Sequence, residues 1–191
     1  MFVPPTWIEG TLIYALIIVL IPLIIGVSIA IVIKIKSDEW EDGLELGFIV
    51  MGVLTIPMLG LSGAYWHYNY EVPSVQEKII TVTEWQPRAG ITTNDNGMMV
   101  IDNAEQLMLL TTEGEGFLNQ EHFLFQKFNT RDILIQLKPG GTYKIEYYGW
   151  REGYNSGFPN ILRVVEVIDE SEAEDVKFSD YFGTKIVGLN E

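Results

Sequence analysis

The chain has 191 residues, 48% of them hydrophobic, and sets 12 Lys and Arg against 26 Asp and Glu for a net charge of −14. A positive mean hydropathy beside that charge means that apolar residues and charges occupy different stretches, which excludes a disordered or collagen-like chain. With no cysteine, a disulfide scaffold, a thiolate metal cage and a cysteine nucleophile are excluded as well.

Residues 11–33 contain no charged side chain, and neither do residues 46–66. Roughly 20 apolar residues in a helix cross the hydrocarbon core of a bilayer. The pattern therefore predicts a two-helix transmembrane hairpin over residues 1–67, with spans at about 11–33 and 46–66. The first run is too long for the apolar region of a signal peptide, and it is preceded by Glu9 rather than by Lys or Arg. Lys34 and Lys36 lie in the short connection, and cations near span ends favour the cytoplasmic side. The expected localisation is the cell membrane, multi-pass, with both termini extracytoplasmic. Trp66, Tyr68 and Tyr70 then form the outer aromatic belt and Trp40 lies near the inner interface, with His67 a polar tip in the belt.

Pro22 and Pro57 interrupt the spans and free the carbonyls of Ile18 and Val53, for which Thr55 offers a nearby hydroxyl. Gly26 with Ala30, and Gly60 with Ala64, make two pairs of small residues at the spacing that lets helices approach. Counted inward from the inner span ends, Gly26 comes level with Gly52. Gly26, Ala30 and Gly52 are therefore expected to close the hairpin, and Gly60 and Ala64 to face a partner helix. The span interiors hold no Asp, Glu, Lys, Arg or His, which argues against transport by the hairpin alone.

The exposed part, beginning at His67, has 20 acids and 10 bases among 125 residues. Its bases are scattered among acids, so no phosphate-binding patch forms and nucleic acid is not an expected partner. Residues 78–85 (KIITVTEW), 98–102, 107–111, 142–150 (TYKIEYYGW) and 161–168 (ILRVVEVI) read as strands. Asn94 to Gly97 and Pro139-Gly140-Gly141 supply turns. Residues 119–128 (NQEHFLFQKF) read as a strand, an extended segment or a short helix, with extended structure favoured. Short strands without room for crossover helices predict a mostly β domain over 68–168, an OB-like antiparallel barrel or a small sandwich. Residues 169–191 read as an acidic linker and a docking tail.

Asn94-Asp95-Asn96-Gly97 resembles the start of a calcium loop, but no glutamate follows at the required offset. His122 is a single histidine without a spaced partner, and P-loop, GxGxxG, GxSxG and HExxH motifs are absent. The expectation is a protein that is not an enzyme and takes no cofactor and no metal. An activity built on His122 and nearby carboxylates is the weakest alternative. The densest constellation runs from Tyr147 to Asn160, where aromatic residues sit on a glycine-rich loop. In the alternating strand Tyr143, Ile145 and Tyr147 share the core face, while Tyr148 and Trp150 share the other. Tyr148, Trp150, Arg151, Tyr154 and Phe158 are the candidate binding residues, the alternative being that Trp150 folds over the barrel mouth as core.

The run Gly140-Gly141-Thr142-Tyr143, then Tyr147-Tyr148-Gly149-Trp150-Arg151 and Pro159-Asn160-Ile161, resembles a tail found in small uncharacterised membrane proteins of phages and archaea. That resemblance implies an anchored C-terminal β-barrel module and brings no activity with it. Two functions follow as expectations. The first is a non-catalytic accessory or structural subunit of a membrane assembly, whose hairpin meets the lipid bilayer and either other membrane subunits or copies of itself. The second is a membrane-anchored extracytoplasmic binding module for a peptide, glycan or small ligand.

Overall fold

The computed structural model describes residues 2–37, 40–88, 92–93, 99–100, 105, 107–152 and 157–175. The chain divides into two compact units, Met1–Pro73 and Ser74–Glu191.

The first unit is a helical hairpin. Helix α1 (Trp7–Ala15) opens on a capping box in which Thr6 and Glu9 satisfy each other's backbone donors. A π-helical turn, Leu16–Leu20, joins it to α2 (Ile21–Ser37). That wide turn ends two residues before Pro22, and the N–H of Ile21 reaches back to the Leu16 carbonyl. The local distortion demanded by a proline without an N–H thus takes the form of a π-bulge. Helix α3 (Trp40–Trp66) carries Pro57 in its interior. The Thr55 hydroxyl donates to the Met51 carbonyl at 2.9 Å, not to the Val53 carbonyl that Pro57 frees, because a threonine in a helix reaches its own i−4 carbonyl most easily. A π turn (His67–Glu71) and a short 3₁₀ turn (Val72–Ser74) follow, the latter ending on the first residue of the second unit. The stretches Trp7–Lys36 and Trp40–Ser74 are both long and apolar enough to cross a membrane, and most of their side chains lie exposed.

The seam between α2 and α3 corrects the depth expected from sequence. Gly26 meets Gly47, not Gly52: a β-carbon on Gly26 would lie 2.7 Å from the Gly47 carbonyl oxygen. Ala30 continues the contact against Gly43. Among the described residues, and apart from the helix's own backbone, nothing comes within 4 Å of where a β-carbon on Gly52, Gly60 or Gly63 would stand, and Ala64 is half-buried. The physical reason is the turn. Helix α3 starts at Trp40, well before the charge-free run, because Glu41 and Asp42 are favourable at a helix N-terminus. At the opposite end Tyr14 stacks on Trp66 at 5.7 Å and Trp66 packs on Tyr70 at 4.7 Å. Near the connection the Lys34 ammonium lies 5.9 Å from the Trp40 ring.

The second unit is built on a mixed five-stranded sheet. Strands β1 (Gln76–Pro87), β4 (Leu107–Thr111), β5 (Gly116–Leu118), β6 (Thr142–Tyr148) and β7 (Asn160–Asp169) carry it, while β2 (Thr92–Thr93) and β3 (Met99–Val100) form a separate two-stranded ribbon. The pairings run β1-β4-β5-β7-β6 and return to β1. Four of the joins are antiparallel, and the β5 to β7 join is a single parallel pair, Leu118 with Asn160. The expectation of a wholly antiparallel sheet is therefore corrected. A three-residue strand followed by a long connection brings β5 beside β7 in the same direction.

That connection contains a helix, α4 (Thr130–Gln136), in a stretch where none was expected. It delivers Ile133 and Leu134, with Leu137 just beyond, into the core beside Val82, Trp85, Leu107, Leu109, Phe117, Tyr143, Ile145 and Ile161, all almost wholly buried. The Trp85 indole N–H donates to the Leu137 carbonyl at 2.9 Å, so a buried helix end finds its partner in the sheet. At Pro139-Gly140-Gly141 the expected turn forms. Gly140 takes φ +83, and a side chain there would also strike the Glu172 carbonyl. The 94–97 turn and most of the 169–191 tail lie outside the described residues.

Candidate functional site

Beyond Tyr148 the chain leaves β6 through Gly149, whose φ of +85 redirects it and whose N–H donates to the Ser74 hydroxyl at 2.8 Å. The loop that follows is drawn in at its neck by a bridge between Glu152 and Gly157, with the Glu152 N–H donating to the Gly157 carbonyl at 3.0 Å. Arg151 braces it from outside: one guanidinium nitrogen donates to the carbonyls of Glu152 at 3.1 Å and Gly157 at 2.9 Å. The same guanidinium lies 3.9 Å from the centre of the Phe158 ring.

This loop forms one wall of a groove of about 420 Å³. Trp150, Arg151, Phe158 and Pro159 come from the loop, Tyr147 from β6, Gln76 from β1, and Glu115 to Phe117 from the start of β5. Sheet register brings these together, since Tyr147 stands opposite Gln76. Phe117 and Tyr147 meet edge to face at 5.1 Å and form an aromatic floor. Phe158 closes over Gly116, where a β-carbon would lie 3.0 Å from the ring.

Charged groups line it as well, Arg151 from the loop and Glu115 from the turn before β5. Glu115 accepts from the Lys78 ammonium at 2.7 Å, and Glu113 accepts from the same ammonium at 2.9 Å. These two carboxylates hold the lysine above its usual range. Burial pushes the Tyr147 phenol up, so it stays a neutral hydrogen-bonding group. The groove thus offers flat apolar surfaces beside hydrogen-bonding groups, the Arg151 guanidinium and the Lys78 ammonium shared by two carboxylates. That chemistry suits recognition of a ligand with an apolar face and polar edges.

Of the five binding candidates, Trp150, Arg151 and Phe158 line the groove. Tyr154 lies outside the described residues. Tyr148 is a correction, because it is buried instead of presented: the segment after β5 folds over that face of β6, and Phe125 and His122 pack on the Tyr148 ring at 4.4 and 5.4 Å. Phe117 and Glu115 were not singled out from the sequence, because Phe117 sits on a strand too short to show alternation and Glu115 in the turn just before it. Gly114, at φ +77, and Gly116 are the signal that a tight turn stands there.

A second polar cluster lies in the segment between β5 and α4. His122 and Lys127 pair through their backbones in an isolated bridge that closes a turn over residues 123–126, so the extended structure favoured for residues 119–128 is corrected to a turn. The Lys127 ammonium is buried and donates to Asn119 Oδ1 at 2.9 Å, to the Gln120 carbonyl at 2.7 Å and to Asn160 Oδ1 at 3.3 Å. Burial pushes its pKa down to about 7, with Glu105 and Glu121 acting in the opposite direction. The His122 Nδ1 accepts from the Phe125 N–H at 3.4 Å, and its ring stacks among aromatics. His67 bonds Glu71 one helical turn on, at 2.8 Å.

Comparison of the chain with protein-family models, with curated proteins and with solved structures found no match.

Proposed function

We propose that the protein is a membrane-anchored binding module. The helical hairpin spans the bilayer with both termini outside, and the β domain captures a ligand with an apolar face, a peptide, a glycan or a small molecule, in the groove beside the 149–159 loop. One observation carries this reading: Trp150, Arg151 and Phe158 converge with Phe117 and Tyr147 on one cavity. The strand order supports an OB-like module. Taken as five main strands, it reads first, second, third, fifth, fourth and back to first, with a helix between the third and fourth. In OB folds the loop between the fourth and fifth strands takes part in ligand binding, and here that loop is 149–159. The acidic surface favours uncharged ligands over nucleic acid.

The test is capture from glycan and peptide arrays by the detergent-solubilised full chain. Trp150→Ala and Phe158→Ala should abolish a specific signal while the melting temperature holds. A large fall in melting temperature would instead make these rings core, and equal capture by the variants would move the site elsewhere.

A second reading, an accessory or structural subunit of a membrane assembly, is favoured by the open space around Gly52, Gly60 and Gly63 on α3. Migration as a monomer in several mild detergents, with no co-purifying chain, would remove it.

A further inference from the structure

The turn closed by the His122 and Lys127 bridge is unusual in what it exposes. Phe123 is 79% exposed, Phe128 61% and Leu124 41%. Turns that face water are written in Gly, Asn, Asp, Ser and Pro, whereas this one reads His-Phe-Leu-Phe-Gln-Lys-Phe. It is also held firmly. Lys127 ties it to Asn119, Gln120 and Asn160, and Phe125 turns inward onto Tyr148. Most of the Phe123 and Phe128 rings is thus left uncovered by their own unit.

Its position in the unit matters. Tyr148 immediately precedes Gly149, and the Gly149 N–H is bonded to the Ser74 hydroxyl. Ser74 ends the second apolar stretch, Trp40–Ser74, and only Val75 separates it from β1. One residue reaches about 3.5 Å. The turn therefore lies at the end of the sheet through which the chain arrives from a candidate membrane span.

We propose that Phe123, Leu124 and Phe128 form a wedge that enters the interfacial layer of the lipid bilayer, to a depth of about 5–10 Å. The contact is apolar rather than electrostatic: the chain carries a net charge of −14, and the turn's lysine is buried instead of offered to headgroups. The inference rests on the anchoring reading above, and its test separates the two.

The cysteine-free full chain is reconstituted in phosphatidylcholine nanodiscs, with a bimane label on Phe123→Cys, Ile56→Cys or Glu113→Cys. Nitroxide lipid and aqueous iodide serve as quenchers. Nitroxide lipid should lower emission about twofold at positions 123 and 56 and leave 113 unchanged, as interfacial insertion requires. Iodide should do the reverse for 123 and 113, and added salt should change neither result. If 56 is quenched by lipid while 123 behaves as 113 does, the wedge is wrong and the anchor stands. Shielding of 123 from both quenchers would mean a protein contact and would also overturn it. Loss of lipid quenching at 56 would overturn the anchor, and the wedge with it.

Discussion

Gly26 and Gly47 approach so closely across the helical hairpin that a β-carbon on either would stand 2.7 Å from the other's carbonyl oxygen. For a hairpin that spans a bilayer, as proposed here, no hydrophobic force drives the helices together, and this backbone contact with the packing around it would hold the pair. Leucine at either position must push the helices apart, at a cost of about 1–3 kcal/mol or more. Gly52→Leu and Gly60→Leu should leave the hairpin intact. Cysteine pairs read the difference, since the chain has no thiol of its own. Positions 26 and 47 should crosslink within one molecule, and efficient crosslinking of 26 to 52 would contradict the register.

Lys127 gives the β domain a pH signature. Its folded-state pKa, near 7, lies below the ordinary 10.5 because burial penalises the ammonium. Between those values the unfolded chain binds more protons than the folded one, so stability should rise as pH rises from about 7 to 9. The penalty on the charged form is present in full below pH 7. Lys127→Met should abolish the slope and cost about 1–3 kcal/mol, because Asn119 and Asn160 lose a donor in a buried site. Urea melts of wild type and variant across that range check both effects, and equal slopes would contradict them.

Gly116 shapes the groove. A methyl group there would meet the Phe158 ring at 3.0 Å and the Met108 sulfur at 3.1 Å, so Gly116→Ala should displace Phe158 and loosen its stack with Arg151. Ligand capture should fall while stability drops by only about 1–2 kcal/mol. Unchanged capture would show that the ring's position does not matter to binding.

Trp85 ties the sheet to the end of α4. Trp85→Phe keeps most of the apolar volume but leaves the Leu137 carbonyl without its donor, and a buried acceptor left unpaired costs about 1–3 kcal/mol. Thermal melts should show that loss. A neutral result would mean that water takes the donor's place.

What the sequence disclosed followed how locally each feature is encoded. Strands β1, β4, β6 and β7 announce themselves through alternation and β-branched residues, and the 139–141 turn through its Pro-Gly-Gly chemistry. Helix α4 and strand β5 did not, because seven and three residues are too short for a period to be read. The hairpin's existence was legible in two apolar runs, but its register was not: it depends on where α3 begins, and its first turn carries the acids Glu41 and Asp42. The aromatic loop stood out by composition. Its floor did not, since Phe117 meets Tyr147 only once the sheet has folded, with β7 standing between their two strands in the pairing order.

The anchoring of the β domain outside the membrane by a two-span hairpin is the claim on which the rest depends. It is tested most directly by labelling single cysteines at positions 3, 41 and 113 in intact cells with a membrane-impermeant maleimide. Positions 3 and 113 should label from outside, and 41 only after permeabilisation. Labelling of all three from the same side would contradict it.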